Sequence, residues 1–452
     1  MTQTKRLFGT DGIRAPFGDY PLDASTVTLL GYRLGQLLAD EADSPTVVMG
    51  GDTRESTPEI CQWLANGLEA AGAIAVFGGI LPTPAIANLV IQRKAQAAIA
   101  VSASHNLHPY NGIKIIDRDG FKWSPASEAR LEALIPGPAP PEISPSDDLS
   151  ADPTLAATYL QLLRGRIDRD RPFDELKIVL DTANGAATAF AGPLFESLGA
   201  EVIALGNTPD GININRNCGS TSPEALVAAV VSHGADIGIG FDGDADRALI
   251  ADETGEMRDG DAMLFAWARY LQDKGELGPP SIVATSMSNL GLEKALEEIG
   301  VSVVRCDVGD RTVVTTMKEN GIRLGGEQSG HLVDLKSGTT GDGMGTALQM
   351  TAILEEANRP LSELLADFRR FPQVLHNVEV DHKPKLDSLP NVSRVAAEVE
   401  NRRGTQGRLV LRYSGTEPLA RVMIEGPDLE EIEALAASLI EAIQTDVGES
   451  RE

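Results

Sequence analysis

The segment FDGDADR (241–247) carries three aspartates at alternate positions. In an extended loop alternate side chains share one face, so Asp242, Asp244 and Asp246 are predicted to converge on one point. Three carboxylates at close range repel one another unless a cation lies among them. All-oxygen ligation is typical of Mg²⁺ or Mn²⁺, and Mg²⁺ usually completes its octahedron with water and substrate phosphate. The segment therefore predicts a site for a hard metal ion, and an acidic turn at the end of a strand is the alternative.

A calcium-binding EF-hand loop is a competing interpretation, because Glu253 is the twelfth residue counted from Asp242. An EF-hand loop needs glycine at its sixth position for a sharp turn. Arg247 stands at that position, and both flanking segments have the pattern of strands instead of helices. These two features exclude an EF-hand.

A serine and a histidine stand side by side in ASHN (103–106), directly after an apolar run. A serine at the end of a strand can act as a nucleophile when a base lies nearby, which makes Ser104 a candidate. Ser102 is a second candidate, and a helix-capping role is the alternative for either residue. The segment NGIK (111–114) brings Lys114 back toward the same turn.

Two further polar segments suit the binding of a ligand. In GGEQSGH (325–331), paired glycines let the backbone approach a ligand, and the polar side chains alternate as sugar ligands could. In RYSGTEP (412–418), backbone N–H groups and hydroxyls lie beside arginines, a combination that binds phosphate. A plain polar loop and a plain hairpin turn are the alternatives. The candidate ligands are Glu327, Ser329 and His331 in the first segment, and Arg412, Ser414, Gly415, Thr416 and Arg421 in and after the second.

A short apolar run followed by a Gly-rich polar turn and a helical pattern recurs along the chain. Continuous apolar runs indicate strands that are buried on both faces of a largely parallel sheet, and the intervening helical patterns indicate an α/β fold. Ligands bind beyond the carboxyl ends of strands in such sheets, where the polar turns lie. The runs and turns are 46–56, 97–106, 177–186, 236–247, 281–291 and 321–331.

The chain of 452 residues is too long for a single core, so several domains are expected. A Pro-, Ser- and Asp-rich stretch at 135–154 suits a linker, and a second break lies near 369–373. The end of the chain has two strand-like runs and a helix capped by Asp428, which predicts a small α+β domain. The predicted domains are α/β domains with mixed, largely parallel sheets at 1–150, 151–255 and 256–370, and an α+β domain at 371–452.

The charge balance restricts the kind of partner. There are 39 basic and 66 acidic residues, a net charge of −27. Binding to nucleic acid or to an anionic membrane needs clustered Lys and Arg, so both are disfavoured. An anionic substrate would require a site that is locally basic.

The location of the protein is predicted from three features. Three separated cysteines do not suggest a disulfide framework, and the first residues lack the apolar segment of a secretory signal. No apolar run approaches the roughly 18 residues of a membrane span. We expect a cytoplasmic protein.

Together, the motifs resemble those of the α-D-phosphohexomutase family, in order and along nearly the whole chain. FGTDGIR (8–14) resembles its opening motif, ASHN with NGIK its phosphoserine loop, DGDADR its metal loop, GGEQSGH its sugar loop and RYSGTEP its phosphate loop. The resemblance implies three similar α/β domains and a smaller fourth domain around a central cleft. It also implies one Mg²⁺ per chain and a covalent phosphate on Ser104.

The resemblance also implies roles for individual residues. Ser104 would be phosphorylated and would join Asp242, Asp244 and Asp246 as a metal ligand. Arg14, His105, Lys114 and Arg247 would assist phosphoryl transfer, with Lys114 as the acid/base. Glu327, Ser329 and His331 would bind the sugar. The phosphate that is not reacting would be bound by Arg412, Ser414, Gly415, Thr416 and Arg421.

Finer details resemble the branch of the family that acts on glucosamine phosphates. They are GININRNCGSTSPE (211–224), TSMSNLGLE (285–293), VGDR (308–311), TTGDG (339–343) and Gln328. Leu107, where the family usually has proline, and Tyr413 depart from the pattern. The branch converts hexosamine 6-phosphate to 1-phosphate through a 1,6-bisphosphate, for the synthesis of UDP-N-acetylglucosamine. Glucosamine or glucose 1,6-bisphosphate would act as primer, and the enzyme would be a monomer or a homodimer.

Two other functions remain open. One is that of a phosphomannomutase or phosphoglucomutase, which differs in its preferred sugar. The other is that of a sugar-phosphate sensor without catalytic activity, which the presence of Ser104 and all three aspartates disfavours.

Overall fold

A computed structural model of the protein describes residues 6–9, 11–137, 140, 142–143, 149–414 and 418–448. The chain forms two compact units. The first unit comprises Met1–Met287 and Gly300–Ala366, and the second comprises Ser288–Ile299 and Asp367–Glu452.

The first sheet of the first unit has five strands in the order β1-β5-β4-β2-β3. All five residues of the fourth strand in sequence are buried, as its continuous apolar run predicts. Asp23 caps the first helix by accepting the N–H of Thr26. The elements are β1 (Ile13–Pro16), α1 (Ala24–Leu38), β2 (Thr46–Gly51), α2 (Thr57–Ala70), β3 (Ile74–Ile80), α3 (Thr83–Gln92), β4 (Ala97–Val101), β5 (Tyr110–Asp117) and α4 (Pro125–Glu132).

The second sheet follows a stretch without helix or strand among the described residues between α4 and Pro153. Its strand order is β10-β9-β8-β6-β7. The elements are α5 (Pro153–Arg164), β6 (Lys177–Asp181), a 3₁₀ helix (Ala186–Ala189), α6 (Ala191–Ser197), β7 (Glu201–Leu205), α7 (Glu224–His233), β8 (Ile237–Phe241), β9 (Ala248–Asp252) and β10 (Met257–Arg258).

The third sheet has four strands in the order β12-β11-β13-β14. Two of its helices are capped by aspartates, Asp259 and Asp342, whose side chains accept backbone N–H groups. The elements in this part of the chain are α8 (Gly260–Asp273), β11 (Ser281–Thr285), α9 (Leu290–Glu298), which belongs to the second unit, β12 (Ser302–Cys306), α10 (Asp310–Asn320), β13 (Leu324–Gly326), β14 (Leu332–Asp334), α11 (Gly343–Ala357) and α12 (Leu361–Leu364).

The three sheets share one arrangement of four strands. The orders β5-β4-β2-β3, β9-β8-β6-β7 and β14-β13-β11-β12 are equivalent. In each, three strands are parallel and the last strand in sequence pairs antiparallel with the strand before it. The turn between these last two strands therefore has the same place in every sheet. These turns are 102–109, 242–247 and 327–331.

The second unit contains a three-stranded antiparallel sheet in the order β15-β17-β16. Its final helix carries the apolar stripe that faces the core, in which Ile432, Leu439 and Ile443 are fully buried. Asp428 caps this helix as predicted, since its side chain accepts the N–H of Glu431 at 3.0 Å. The elements after α12 are β15 (Gln373–Glu379), a 3₁₀ helix (Leu386–Ser388), α13 (Pro390–Arg403), a second 3₁₀ helix (Gly404–Gln406), β16 (Arg408–Tyr413), β17 (Leu419–Glu425) and α14 (Leu429–Gly448).

Among the described residues, no helix combines the length and the apolar character that crossing a membrane requires. Cys61, Cys218 and Cys306 are free thiols.

Candidate active site

The turn after β8 brings the three predicted aspartates together. One carboxylate oxygen of each lies within 4.8 Å of the others, and all three side chains are buried. The backbone differs from the extended loop that we expected. Ala245 has a φ of 54°, and its N–H donates to the carbonyl of Asp242 at 3.1 Å. A tight turn therefore makes Asp242, Asp244 and Asp246 converge, and these three residues are called the carboxylate triad below.

The charges of the carboxylate triad are only partly compensated. Burial, followed by the charges of Asp246 and Asp244, raises the pKa of Asp242 well above its ordinary value. The Oδ1 atoms of Asp244 and Asp246 are buried and accept no hydrogen bond from the described residues. Unpartnered oxygens among three carboxylates are the donor set that a hard divalent cation requires, so the residues present fit Mg²⁺.

Ser104 lies in the turn after β4 and contacts the triad. Its Oγ donates to Asp242 Oδ2 at 2.6 Å and lies 3.4 Å from His105 Nδ1. Ser102, the competing candidate, donates from its Oγ to Asp52 Oδ2 at 2.6 Å and accepts the N–H of Ser104 at 2.8 Å. The hydroxyl at the triad is therefore that of Ser104, whereas Ser102 supports the turn.

Two side chains that the sequence analysis did not identify contact this turn. One comes from before it in the sequence and the other from after it. Arg54 Nη2 donates to the carbonyls of Ser104 and Asn106, at 3.2 and 2.7 Å. Asn215 Nδ2 donates to the same two carbonyls at 2.9 and 3.0 Å. Asp52 fixes Arg54 by accepting its Nε at 3.0 Å, and this ion pair is fully buried. The position of Ser104 thus depends on both the first and the second sheet.

Lys114 reaches the triad from β5, as the sequence predicts. Its Nζ lies 2.8 Å from Asp244, and 3.5 Å from both Asp246 and Asp11. Burial opposes the charged form, but these three carboxylates together raise the pKa of Lys114 well above its ordinary value. Lys114 is therefore an ammonium in this arrangement and can donate a hydrogen bond or a proton.

Arg247, His105 and Arg14 surround the same turn. Arg247 Nη1 lies 3.5 Å from His105 Nδ1, and Arg14 Nη1 donates to Asn106 Oδ1 at 3.3 Å. Burial, together with the charges of Arg247 and Arg14, lowers the pKa of His105, which favours a neutral imidazole. Two guanidinium groups beside Ser104 place positive charge next to the triad carboxylates, as an anionic group at this turn would require.

The turn after β13 holds Glu327 and Ser329 together. Glu327 Oε1 accepts the N–H of Gly309 at 3.0 Å, and Ser329 Oγ donates to Glu327 Oε2 at 3.3 Å. The carbonyl of Gly330 accepts the N–H of Ala248 at 3.2 Å, directly after the triad turn. The candidate sugar ligands are thereby joined to the second sheet.

His331 and Gln328 make other contacts. His331 is 1% exposed, and its Nε2 accepts the N–H of Gly341 at 3.2 Å. Gln328 Nε2 donates to Asp259, the cap of α8, at 3.1 Å. Both side chains contact the protein itself, so a direct contact between His331 and a sugar stays a prediction.

The candidate phosphate ligands lie in the second unit. Arg412 and Arg421 are cross-strand neighbours on β16 and β17. The carbonyl of Ser414 accepts Lys383 Nζ at 2.6 Å, which adds a cation that the sequence analysis did not identify. Gly415 and Thr416, the other predicted ligands, lie outside the described residues.

Comparison with known families gives four matches that follow one another along the chain. All are domain models of the phosphoglucomutase/phosphomannomutase family. Alpha/beta/alpha domains I, II and III match residues 5–139, 157–255 and 259–371, and the C-terminal domain matches residues 375–442. These matches confirm the predicted fold class and the resemblance on which it was based.

Individual proteins agree with this result. A phosphoglucosamine mutase of Solibacter usitatus is 43% identical, over 98% of this chain and 100% of the relative. One of Gluconacetobacter diazotrophicus is 45% identical, over 98% and 99%. The crystal structure of a phosphoglucomutase/phosphomannomutase family protein from Burkholderia thailandensis has a TM-score of 0.81, with 24% identity and 97% coverage of both chains. The chain therefore belongs to the phosphoglucomutase/phosphomannomutase family, the α-D-phosphohexomutases, whose members are isomerases.

Proposed function

We propose that the protein interconverts glucosamine 6-phosphate and glucosamine 1-phosphate, with Ser104 as the carrier of the phosphoryl group. The observation that carries this proposal is the contact of 2.6 Å between Ser104 Oγ and Asp242, beside a second triad carboxylate that Lys114 contacts at 2.8 Å. The full-length relatives named phosphoglucosamine mutase support the choice of substrate.

In the proposed reaction, the free hydroxyl of the sugar phosphate attacks the phosphorus on Ser104 Oγ. A new P–O bond to the sugar forms while the bond to Ser104 breaks, which leaves a 1,6-bisphosphate. After the bisphosphate turns around, its other phosphoryl group returns to Ser104 by the reverse step. Such transfers depend mainly on positioning and on neutralising charge. Lys114 would move the proton between the sugar hydroxyl and the serine oxygen, while Arg247 and Arg14 would neutralise the phosphoryl oxygens.

The triad is proposed to hold one Mg²⁺, with the phosphate on Ser104 as a further ligand. When bound, Mg²⁺ would withdraw charge from the transferring phosphoryl group. The protein's own part is to hold Ser104 and the three carboxylates at the distances given above. Asp242 would also orient the serine hydroxyl through its 2.6 Å hydrogen bond.

The remaining predicted residues would hold the two ends of the sugar phosphate. Glu327 and Ser329 would accept and donate hydrogen bonds at the sugar, because their oxygens lie side by side on one turn. His331 would act through the backbone of Gly341 that it contacts. The arginine pair Arg412 and Arg421 would bind the phosphate that is not reacting, together with Ser414, Gly415 and Thr416.

We place the enzyme in the cytoplasm as a monomer or a homodimer without nucleic-acid or membrane partners. Three free thiols suit a reducing compartment, and a net charge of −27 disfavours polyanionic partners.

The deciding experiment is a coupled assay of the purified protein with Mg²⁺ and a trace of glucose 1,6-bisphosphate. Turnover of glucosamine 6-phosphate should exceed that of glucose and mannose phosphates. A preference for either hexose phosphate would assign the other mutase activity. Binding of sugar phosphate without turnover or phosphoserine would show a sensor and refute the proposal.

A further inference from the structure

Lys122 follows β5 and bridges two carboxylates. Its Nζ lies 2.7 Å from Asp11 Oδ1 and also contacts Asp310 Oδ2, while its side chain is only 9% exposed. Asp11 belongs to the opening segment of the chain, whereas Asp310 is the first residue of α10 beside the third sheet. This lysine therefore joins two parts of the first unit that are distant in sequence.

The two carboxylates lead to different parts of the proposed active site. Asp11 lies 3.5 Å from Lys114 Nζ, which in turn contacts Asp244 at 2.8 Å. On the other side, Gly309 precedes Asp310 and donates its N–H to Glu327 Oε1 at 3.0 Å. A continuous series of contacts connects the candidate sugar ligand with the candidate acid/base.

We infer that Lys122 and Asp310 are positioning residues for Lys114. The inference rests on the proposed function, because it assumes that Lys114 takes part in phosphoryl transfer. Lys114 is shared between Asp11 and Asp244, and its place depends on how strongly each carboxylate attracts it. Lys122 neutralises part of the charge of Asp11, so Lys114 stays closer to the triad.

Asp310 gives this arrangement its link to the sugar-binding turn. It holds Lys122 from the segment whose preceding residue binds Glu327. The segment that holds Lys122 therefore also contacts Glu327 through the backbone of Gly309. Loss of Lys122 should release Lys114 toward Asp11 and away from the triad. Loss of Asp310 should act in the same direction, because Asp310 holds Lys122 in its place beside Asp11.

The first test is steady-state kinetics of Lys122→Met. We expect kcat to fall about 10- to 100-fold, since displacement of a positioned group by about 1 Å can cost this much. KM should change little, because Lys122 contacts no proposed substrate ligand.

Lys122→Arg should recover most of the lost kcat, since a guanidinium can bridge the same two carboxylates. Asp310→Asn should resemble Lys122→Met, and the double variant should be no worse than either single variant.

The chain offers a matched control in the same interface. Glu128 forms an ion pair with Arg311, the residue after Asp310, at 2.6 Å. Within the part of the chain that the structure describes, neither residue forms an ion pair with Asp11. Glu128→Gln and Asp310→Asn each remove one carboxylate charge from an ion pair between the first and third sheets. Only Asp310→Asn should lower kcat.

Two results would overturn the inference. One is an unchanged kcat in Lys122→Met; the other is an equal loss in Glu128→Gln and Asp310→Asn, which would indicate general tethering of the two sheets. If Lys122→Met does not fold, Asp310→Asn and Lys122→Arg still decide between these outcomes.

Crystal structures of the wild-type protein and of Lys122→Met or Asp310→Asn test the inference without turnover. Lys114 Nζ should leave its 2.8 Å contact with Asp244 in the variant. An unmoved Lys114 would refute the positioning role. A wild-type protein that turns over no hexosamine phosphate would refute the proposed function alone, because this distance can still be measured.

Discussion

The backbone of Ser104 has a φ of 51°, in the left-handed region that residues with a side chain rarely adopt. This conformation costs roughly 1–2 kcal/mol for a residue with a Cβ atom. Hydrogen bonds from Arg54 and Asn215 to the carbonyl of Ser104 offset the cost. The result is a hydroxyl fixed against Asp242, although the local sequence alone would favour another backbone.

Replacing Ser104 tests both its chemistry and its strain. Ser104→Ala and Ser104→Gly should both abolish turnover, because neither has an oxygen to carry the phosphoryl group. Ser104→Gly should be the more stable of the two by about 1 kcal/mol, since glycine adopts a positive φ without steric cost. Coupled assays and urea unfolding measure these effects.

Mass spectrometry tests which serine carries the phosphate. Phosphate should be found on the Ser102→Ala variant but not on the Ser104→Ala variant, and phosphate retained by Ser104→Ala would contradict the assignment.

Metal dependence provides a second prediction at the scale of single residues. Chelation by EDTA should abolish activity and Mg²⁺ should restore it, because three buried carboxylates, two of which have an unpartnered oxygen, need a cation to neutralise them. Asp244→Asn should shift the activity curve to higher Mg²⁺ concentration, since an amide is a weaker, uncharged ligand. A Mg²⁺ titration of wild type and variant checks this, and full activity in metal-free buffer would disprove a metal role.

At the scale of elements, sequence patterns predicted the strands and turns well. The runs that become β4 and β8 are continuously apolar, and every residue of both strands is buried. The polar turns that follow were therefore placed correctly at strand ends. Spacing also identified Lys114, because β5 returns it beside β4, with Ala100 as its register partner.

Other parts of the site have no local signal in the sequence. Arg54 and Asn215 contact the Ser104 turn from 50 and 111 residues away, and a single polar residue in a loop does not indicate such a partner. The turn of the triad also depends on a positive φ at Ala245. Alanine rarely adopts a positive φ, so its presence in the sequence does not predict this turn. The sequence thus predicted which carboxylates meet, but not the backbone that brings them together.

The buried ion pair of Arg54 and Asp52 supports the turn that contains Ser104. Arg54→Met should destabilise the protein by about 3–5 kcal/mol, because it leaves the charge of a fully buried Asp52 uncompensated. Urea unfolding measures this loss. The double variant Arg54→Met with Asp52→Asn should regain part of the stability but not the activity, because the carbonyls of Ser104 and Asn106 still lose a donor. A single variant as stable as wild type would contradict this account.

At the scale of the whole molecule, several cations lie at one site although the protein as a whole is acidic. The chain carries a net charge of −27, and four cations lie around the proposed phosphoryl site, each in an ion pair with an aspartate: Arg14, Lys114, Lys122 and Arg247. Cations gathered at one site can contact a small anion there, while the acidic remainder of the surface repels polyanions. Small sugar phosphates fit this pattern better than extended polyanions do.

The second unit carries a comparable pair of cations. Arg412 and Arg421 are register partners on antiparallel strands, so their side chains lie on one face of the sheet. A phosphate bound between them would contact two positive charges at once. Inorganic phosphate should therefore raise the thermal midpoint of the wild-type protein more than that of Arg421→Ala.

Kinetics of Arg421→Ala test whether this pair serves the reaction. A charge-assisted contact is worth roughly 1.5–3 kcal/mol, so kcat/KM should fall about 10- to 100-fold. Free 1,6-bisphosphate should also accumulate, because the intermediate loses a contact at its far phosphate. Arg394→Ala, which removes an exposed arginine from α13 of the same unit, is the matched control and should leave kcat/KM unchanged. If Arg421→Ala lowers the thermal midpoint but keeps wild-type kinetics, the arginine stabilises the strand and does not bind phosphate.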